Sequence, residues 1–395
     1  MKELFTDMET VYLDNSSTTR QADEVTELIY EISRNEFGNP SSLHSIGFSA
    51  EKLVEAARKE FAVSIGADPS EVTFNSGGTE GDNTVLFEAA RAKKHDGNRI
   101  VISAVEHPAV MESAAKLAHD GFDIVKVGTG SDGKVDMDEL RDAVNDDTIL
   151  VSVMTVNNET GAVMPVQEIT EIAHSHGALM HTDAVQAYGK IDMSVYTSRM
   201  KGEGVDFITV SSHKIHGPKG VGALYQKKGS ELPPFIVGGG QEKNRRSGTE
   251  NVPGIAGFGK ACSLAASCRE ESYNRVSEAR DYLLAGIRDR IPDVLVNSPE
   301  DGLPYVLNVS FLGTRGEVIL HTLEQDGIFV STGSACSSNK KGLSYVLSEL
   351  GRAPKEIEAA IRFSFCRYNT VDEMDYVLDK VENAVKNFRR LGSFR

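Results

Sequence analysis

The chain has 395 residues, of which 40% are hydrophobic and 25% are charged, as in ordinary globular proteins. This length predicts about two to three domains. Asp and Glu number 58 against 42 Lys and Arg, giving a formal net charge of −16. That balance argues against a nucleic-acid backbone as the main ligand, so we expect no direct nucleic-acid binding.

The N-terminal residues contain no apolar segment of the kind that a secretory signal requires. The longest apolar stretches, such as residues 149–154, have the length of a strand and not of a membrane span. We therefore expect a cytoplasmic protein without a membrane partner. The four cysteines form no Cys-x-x-Cys pair, which predicts free thiols rather than a zinc ribbon.

Strand and helix patterns alternate along most of the chain. Strands are predicted at 72–74, 99–104, 122–127, 148–155, 179–183, 207–211, 222–225, 305–311, 328–331 and 361–365, after a short extended piece near 11–15. Helices are predicted at 23–34, 49–65, 79–93, 108–120, 137–144, 166–176, 252–290 and 371–390, with another after residue 314. Continuous apolar strands separated by helices predict an α/β fold with a mostly parallel sheet covered on both faces. Ligands of such sheets bind at the carboxyl ends of the strands.

We predict four regions along the chain. They are an N-terminal segment at 1–20, a large domain at 21–255, a bridging helix at 256–291, and a smaller α+β domain at 292–395.

A lysine follows the apolar, β-branched strand predicted at 207–211. Residues 207–210 are apolar or β-branched, and Ser211, Ser212, His213 and Lys214 come directly after them. Partial burial at this position lowers the pKa of an amine, and a neutral amine is what a Schiff base requires. A lysine in a polar surface loop is the alternative, and Lys214 alone does not exclude it.

Other polar residues follow neighbouring strands. They are the glycine-rich segment 76–83, His107, Asn158 and Asp183. Each alone is compatible with a helix cap, but together with Lys214 they match the needs of pyridoxal phosphate. This cofactor requires an amine, a carboxylate for its ring nitrogen, an aromatic neighbour and phosphate donors. Thr79, Ser211 and His213 are the candidate donors.

The chain resembles the cysteine desulfurases, which are class V aminotransferases within the fold-type I pyridoxal-phosphate enzymes. The stretches that carry this resemblance span nearly the whole chain in order. They are residues 12–19, 37–42, 76–83, 106–107, 156–161, 183–186, 212–220, 246–249, 331–338 and 361–365.

The resemblance implies a role for each matching residue. Lys214 binds the cofactor aldehyde, Asp183 pairs with the ring nitrogen, and His107 stacks on the ring. Asn158 and Gln186 contact the ring hydroxyl, and Arg362 binds the substrate carboxylate with help from Asn39. The residues expected around the phosphate are Gly78, Thr79, Ser211 and His213, with Thr249 supplied by the other subunit of a homodimer.

Cys336 distinguishes the expected reaction from others on this scaffold. It lies among small polar residues, a context that favours an exposed, reactive thiol over a packed one. Cys262 is expected to pack in a helix, and Cys268 to be partly exposed. Cys366 stands where relatives often carry glycine, and its role stays open. The resemblance implies that L-cysteine is converted to L-alanine while Cys336 receives the sulfur as a persulfide.

Several alternatives remain at this stage. An aminotransferase or selenocysteine lyase would use the same scaffold, and a non-catalytic sulfur-transfer subunit would retain only its fold. A metal site on His174, His176 and His181 fits poorly, because His181 belongs to a different element from the helix that carries the other two, and no carboxylate–thiol cluster completes a site. The persulfide acceptor is expected to be an iron–sulfur scaffold or a tRNA-thiolation enzyme, because the tail after residue 387 is shorter than in housekeeping relatives.

Overall fold

A computed structural model describes residues 10–197, 204–333, 343–390 and 392. The strands are β1 (Val11–Tyr12), β2 (Val72–Asn75), β3 (Arg99–Ser103), β4 (Asp123–Val127), β5 (Thr148–Ser152), β6 (Leu179–Asp183), β7 (Phe207–Ser211), β8 (Gly222–Gln226), β9 (Val294–Val296), β10 (Val306–Phe311), β11 (Ile328–Phe329) and β12 (Ala360–Ser364). The helices are α1 (Asp23–Asn35), α2 (Ser45–Ser64), α3 (Gly78–Lys93), α4 (Pro108–His119), α5 (Met137–Ala143), α6 (Val166–Ser175), α7 (Gln241–Asn244), α8 (Val252–Arg290), α9 (Gly316–Gln325), α10 (Tyr345–Glu349), α11 (Pro354–Glu358) and α12 (Val371–Arg390).

A seven-stranded sheet of order β2-β8-β7-β6-β5-β3-β4 forms the centre of the fold. Strand β8 runs antiparallel to β2 and β7, while the other neighbours pair in parallel. All five residues of β5, β7 and β8 are buried, as expected for strands covered on both faces. The predicted mostly parallel α/β sheet is confirmed.

Alternate residues of each strand face opposite sides of this sheet. Ile100 and Ile102 of β3 pack in one apolar cluster with residues of α3 and α4. Val101, between them, belongs to the larger cluster that also contains residues of α2, α6 and α8. The two-residue period of a strand therefore explains why the helices form two layers.

Two smaller sheets complete the structure. Strands β12-β10-β9 form an antiparallel sheet, and β1 pairs in parallel with β11. Asp14 forms a further parallel bridge with Ser364, which ties the N-terminal segment to β12. Both sheets contain strands from the region predicted as the smaller domain. The bounds of the four predicted regions themselves stay a prediction.

The structure differs from the predicted elements at a few ends. Helix α2 begins at Ser45, earlier than expected, because the Nδ1 atom of His44 accepts a hydrogen bond from Gly47 N at 3.2 Å and caps it. Sequence patterns also missed β9, α10 and α11, which have only three to five residues each. Among the described residues, no helix has the length and apolarity needed to cross a membrane.

Candidate active site

A cavity of about 210 Å³ lies at the carboxyl ends of the central strands. It is bordered by the beginnings of α3 and α4 and by residues of the N-terminal segment and β12. The predicted site residues that line it are Gly78, Thr79, His107, Asn158, Asp183, Gln186, Ser211, His213, Lys214 and Arg362. The fold thus brings together residues as far apart in the sequence as Gly78 and Arg362.

Lys214 ends a single 3₁₀ turn, Ser212–Lys214, that follows β7 directly. Its Nζ donates a hydrogen bond to Ser17 O at 2.7 Å and a second one to Ser16 O. The N-terminal segment therefore covers the amine with backbone carbonyls. This arrangement places the amine at the cavity instead of in solvent, as the Schiff-base prediction requires.

Asp183 is the last residue of β6 and is 6% exposed. Burial raises the pKa of its carboxyl, while His107, the Val185 N–H and Lys214 oppose the rise. Its Oδ1 accepts a hydrogen bond of 2.9 Å from Val185 N. One carboxylate is thus held in a fixed orientation at the base of the cavity.

His107 caps the first turn of α4. Its Nδ1 accepts a hydrogen bond from Ala109 N at 3.2 Å, which leaves Nε2 as the protonated nitrogen of the neutral ring. Burial lowers the pKa of His107, Asp183 opposes this, and the Lys214 charge lowers it further. A neutral imidazole is therefore the form present near pH 7.

Helix α3 begins against the cavity with Gly78 and Thr79. A Cβ atom on Gly78 would lie 2.8 Å from Cγ2 of Val185, so a larger residue here would force one of the two to shift. The first turn of a 16-residue helix offers unpaired N–H groups to an anion. His213 lies on the same side, and burial together with the charges of Lys214, Lys219 and Lys190 lowers its pKa to about 4.

Gln186 is held by two hydrogen bonds. Its Oε1 accepts from Lys190 Nζ at 3.0 Å, and its Nε2 donates to Ser16 O at 2.9 Å. Lys190 is itself buried, and burial and the Lys214 charge lower its pKa to about 7. Sequence reasoning found Gln186 but not Lys190, four residues later.

Arg362 enters the cavity from β12 and is only 1% exposed. Nη1 donates to Asn158 O and Nη2 to Asp14 Oδ1, both at 2.9 Å. A planar guanidinium fixed in this way is suited to bidentate binding of a carboxylate.

Two predicted site residues do not line the cavity, and a third lies outside the part of the chain that the structure describes. Asn39 is exposed, and its Oδ1 accepts a hydrogen bond from Ser41 N at 2.9 Å. Thr249 is exposed beside Ser76 and Arg246 in a different groove. Cys336 lies outside the described residues. The roles predicted for these three residues stay predictions.

The cysteines that the structure describes have the expected surroundings. Cys262 is buried in α8 and Cys268 is partly exposed. Arg367 Nη1 donates to the sulfur of Cys268 at 3.2 Å. Cys366 is buried, which raises the pKa of its thiol.

The histidines considered as metal ligands lie in separate contacts. His174 pairs with Asp206 and His176 with Asp146, at 2.9 and 2.8 Å. His181 forms hydrogen bonds with Ser152 and Thr209.

Sequence reasoning also missed Asp82, a buried acid in the cavity wall. Its spacing of three residues from Thr79 within a helix was the signal that would have revealed it.

The residues present fit pyridoxal phosphate. An amine, a buried carboxylate, a neutral imidazole and a helix N-terminus converge on one cavity, as the chemistry of this cofactor requires. A buried guanidinium on the same cavity offers a place for a carboxylate substrate.

Comparisons with known proteins identify the family of the chain. The model of the family Aminotransferase class-V matches residues 11–377. Cysteine desulfurase IscS of Dictyoglomus turgidum is 42% identical over 98% of this chain and 97% of its own length. A cysteine desulfurase of Nostoc sp. is 40% identical over 98% of this chain and 96% of its own length. A solved structure described as a NifS-like protein superposes with a TM-score of 0.89 at 38% identity, covering 96% of this chain and 100% of that one.

Proposed function

The chain belongs to the class V aminotransferase family, and within it to the cysteine desulfurases, and from this premise we propose which residues convert L-cysteine to L-alanine. The observation that carries the proposal is the convergence of Lys214, Asp183 and Arg362 on one cavity. When bound, pyridoxal phosphate supplies an electron-accepting ring that stabilises negative charge at the substrate's Cα.

The cavity residues divide the work of binding. Lys214 holds the cofactor through its Nζ, and Asp183 accepts a hydrogen bond from the ring nitrogen. Thr79, Ser211 and His213, with the N–H groups at the start of α3, bind the phosphate. His107 lies against the ring, and Asn158 and Gln186 contact its hydroxyl side. Arg362 binds the carboxylate of L-cysteine and so orients its Cα towards Lys214.

Proton and sulfur transfer use two further properties of the chain. The Lys214 amine takes the proton from the substrate's Cα and returns protons to the carbon skeleton, which leaves as alanine. The Cys336 thiolate attacks the substrate sulfur, so that an S–S bond forms as the Cβ–S bond breaks. Cys336 then carries a persulfide that a reductant or a sulfur-acceptor protein can remove.

The test is to incubate the protein with L-cysteine and dithiothreitol and to measure alanine and sulfide. The Cys336→Ala variant should keep the absorbance of the bound cofactor and form no sulfide, while Cys268→Ala, changed at a partly exposed thiol, should turn over normally. Normal turnover by Cys336→Ala would exclude Cys336 as the sulfur acceptor. Borohydride reduction should fix the cofactor on the peptide that contains Lys214, and its absence there would overturn the site.

The same assay separates the rival reactions. Alanine formation without any amino acceptor is expected of a desulfurase and not of an aminotransferase. Rapid turnover of L-selenocysteine with little turnover of L-cysteine would instead favour a selenocysteine lyase. A colourless purified protein would revive the non-catalytic alternative.

We further propose a cytoplasmic homodimer in which Thr249 reaches the phosphate of the other subunit. Thr249 is exposed and lies outside the cavity of its own subunit, which supports a homodimer. The exposed side chains of Phe37, Leu43 and Phe48 support it as well. Light scattering should give twice the chain mass.

The sulfur acceptor is an iron–sulfur scaffold or a tRNA-thiolation enzyme, and capture of the acceptor with persulfide-loaded protein distinguishes the two.

A further inference from the structure

Asp82 is a buried acid that the proposed mechanism does not use. It lies on α3, is 1% exposed and contributes to the wall of the cavity. A carboxylate oxygen of Asp82, a carboxylate oxygen of Asp183 and a ring nitrogen of His107 all lie within 4.8 Å of one another. Within the described part of the chain, neither carboxylate oxygen of Asp82 forms a hydrogen bond of ordinary geometry. A buried carboxyl without a donor is costly when it is ionised.

The groups that face Asp82 do not supply a compensating positive charge. Asp183 and Glu106 are acids, and burial raises the pKa of Glu106 to about 8. His181 Nε2 lies 3.6 Å from Asp82 Oδ1, but burial lowers the pKa of this histidine to about 3. Asp183 and Lys214 shift the pKa of His107 in opposite directions, and burial keeps its ring neutral. The Thr209 hydroxyl favours the ionised form, but it is neutral and supplies no positive charge.

Two adjacent buried carboxyls cannot both ionise at neutral pH, so one of them retains a proton. Asp183 is the better anion, because the Val185 N–H donates to it and His107 and Lys214 favour its charge. Burial and the charge of Asp183 raise the pKa of Asp82 well above its usual range. The proton therefore belongs on Asp82.

We propose that Asp82 is a positioning residue that stays protonated beside Asp183, so that the pair carries one negative charge and this charge lies on Asp183, opposite the ring nitrogen of the cofactor. A single anion then matches a single protonated ring nitrogen. This inference rests on the proposed function, because Asp82 acts on the reaction only through Asp183.

The first test uses the wild-type holoenzyme. Infrared spectra of protein labelled with ¹³C-aspartate should show, at neutral pH, the C=O stretch of a protonated aspartic acid shifted by the label. Glu106 does not contribute to this shift, because glutamate is unlabelled. The Asp82→Asn variant should lose the band. Absence of the band in the wild type, or its persistence in the variant, would overturn the proposal.

The second test is the pH titration of the cofactor absorbance. Asparagine has nearly the shape of a protonated aspartic acid and is also neutral, so Asp82→Asn should leave the midpoint within about 0.3 pH unit of the wild type. If Asp82 is ionised instead, the variant removes a charge beside the ring, and the midpoint should move by more than about one unit. Asp82→Ala, also neutral, should follow Asp82→Asn and replaces it if that variant does not fold.

The two proposals fail in different ways. Failure of the proposed function would appear as wild-type protein that neither attaches the cofactor at Lys214 nor forms alanine. Failure of the Asp82 inference would appear as an active wild type without the aspartic acid band, or with a large shift of the midpoint in Asp82→Asn.

Discussion

The guanidinium of Arg362 donates a 2.9 Å hydrogen bond to the carboxylate of Asp14. The two residues are 348 positions apart, and Asp14 also bridges to β12 through Ser364. Arg362 is therefore oriented before any substrate arrives, with its charge balanced by an acid from the N-terminal segment. A pre-oriented guanidinium loses little side-chain entropy when it binds a carboxylate.

Replacing Arg362 with lysine tests this orientation. Lysine keeps the charge but cannot form two parallel hydrogen bonds with a carboxylate, so the KM for L-cysteine should rise about 10- to 100-fold, with a smaller change in kcat. Steady-state alanine formation measures both constants. Arg367→Lys is the matched control, because Arg367 lies on the same segment but does not line the cofactor cavity. Equal effects of the two substitutions would show that Arg362 does not bind the substrate carboxylate.

The strand ends were the part of the site that the sequence could predict. Asp183 ends one predicted strand and Lys214 follows another, and parallel strands bring their carboxyl ends to one edge. The carbonyls of Ser16 and Ser17 could not be found in this way, because they reach Lys214 only through long-range folding.

Other omissions have different physical causes. Asp82 and Lys190 look like ordinary surface charges in the sequence, and only the structure shows that they are buried. Short elements such as β9 are missed because three residues are too few to show a period. Thr249 is predicted to reach the cofactor of a second subunit, and a single chain does not display such a contact.

The buried His181 predicts how stability depends on pH. Its pKa is lowered to about 3 by burial, below the unfolded value of 6.5, so unfolding binds a proton when the pH falls through 6.5. As the pH falls from 7 to 5, this histidine alone should lower the unfolding free energy by about 2 kcal/mol. In urea unfolding, the free energy of His181→Gln should therefore depend less steeply on pH than that of the wild type.

Measurements at pH 8 provide the control for His181. Both the folded and unfolded histidine are neutral there, so wild type and variant should differ only by a pH-independent amount from lost hydrogen bonds to Ser152 and Thr209. An unchanged slope between pH 7 and pH 5 in the variant would contradict the assignment.

Lys190 should produce a pH trend of the same sign at higher pH. Burial and the Lys214 charge lower the pKa of Lys190 to about 7. At any pH below the pKa of the unfolded lysine, this residue therefore lowers the unfolding free energy, most strongly at and below pH 7. The penalty disappears as the pH rises through about 10, where the unfolded lysine also loses its proton. Lys190→Met should therefore flatten the rise in unfolding free energy between pH 7 and pH 10.

The same variant tests the contact with Gln186. Without the amine, Gln186 Oε1 loses its 3.0 Å donor, and cofactor affinity should fall by about 3- to 10-fold. Equilibrium dialysis measures this change. Lys219→Met removes an exposed lysine instead and should leave the cofactor affinity within about twofold. An equal loss in both variants would mean that general charge, and not the hydrogen bond to Gln186, is responsible.

Arg58 and Glu242 form a buried pair that should control stability and not chemistry. The two side chains are each 4% exposed and share hydrogen bonds of 2.7 and 2.9 Å, and Glu242 also accepts from Phe74 N at 2.9 Å. Glu242→Ala leaves a buried guanidinium without its main partner, which should cost about 3–5 kcal/mol of unfolding free energy in urea titrations. Glu55→Ala removes the other, more exposed acid that contacts Arg58 and should cost less than about 1 kcal/mol.

Because Glu242 precedes Arg246 and Thr249 in the same segment, the Glu242→Ala substitution should also weaken the predicted dimer, and Glu55→Ala should not. A Glu242→Ala protein as stable as Glu55→Ala would show that water reaches Arg58 and that the pair does not hold this segment.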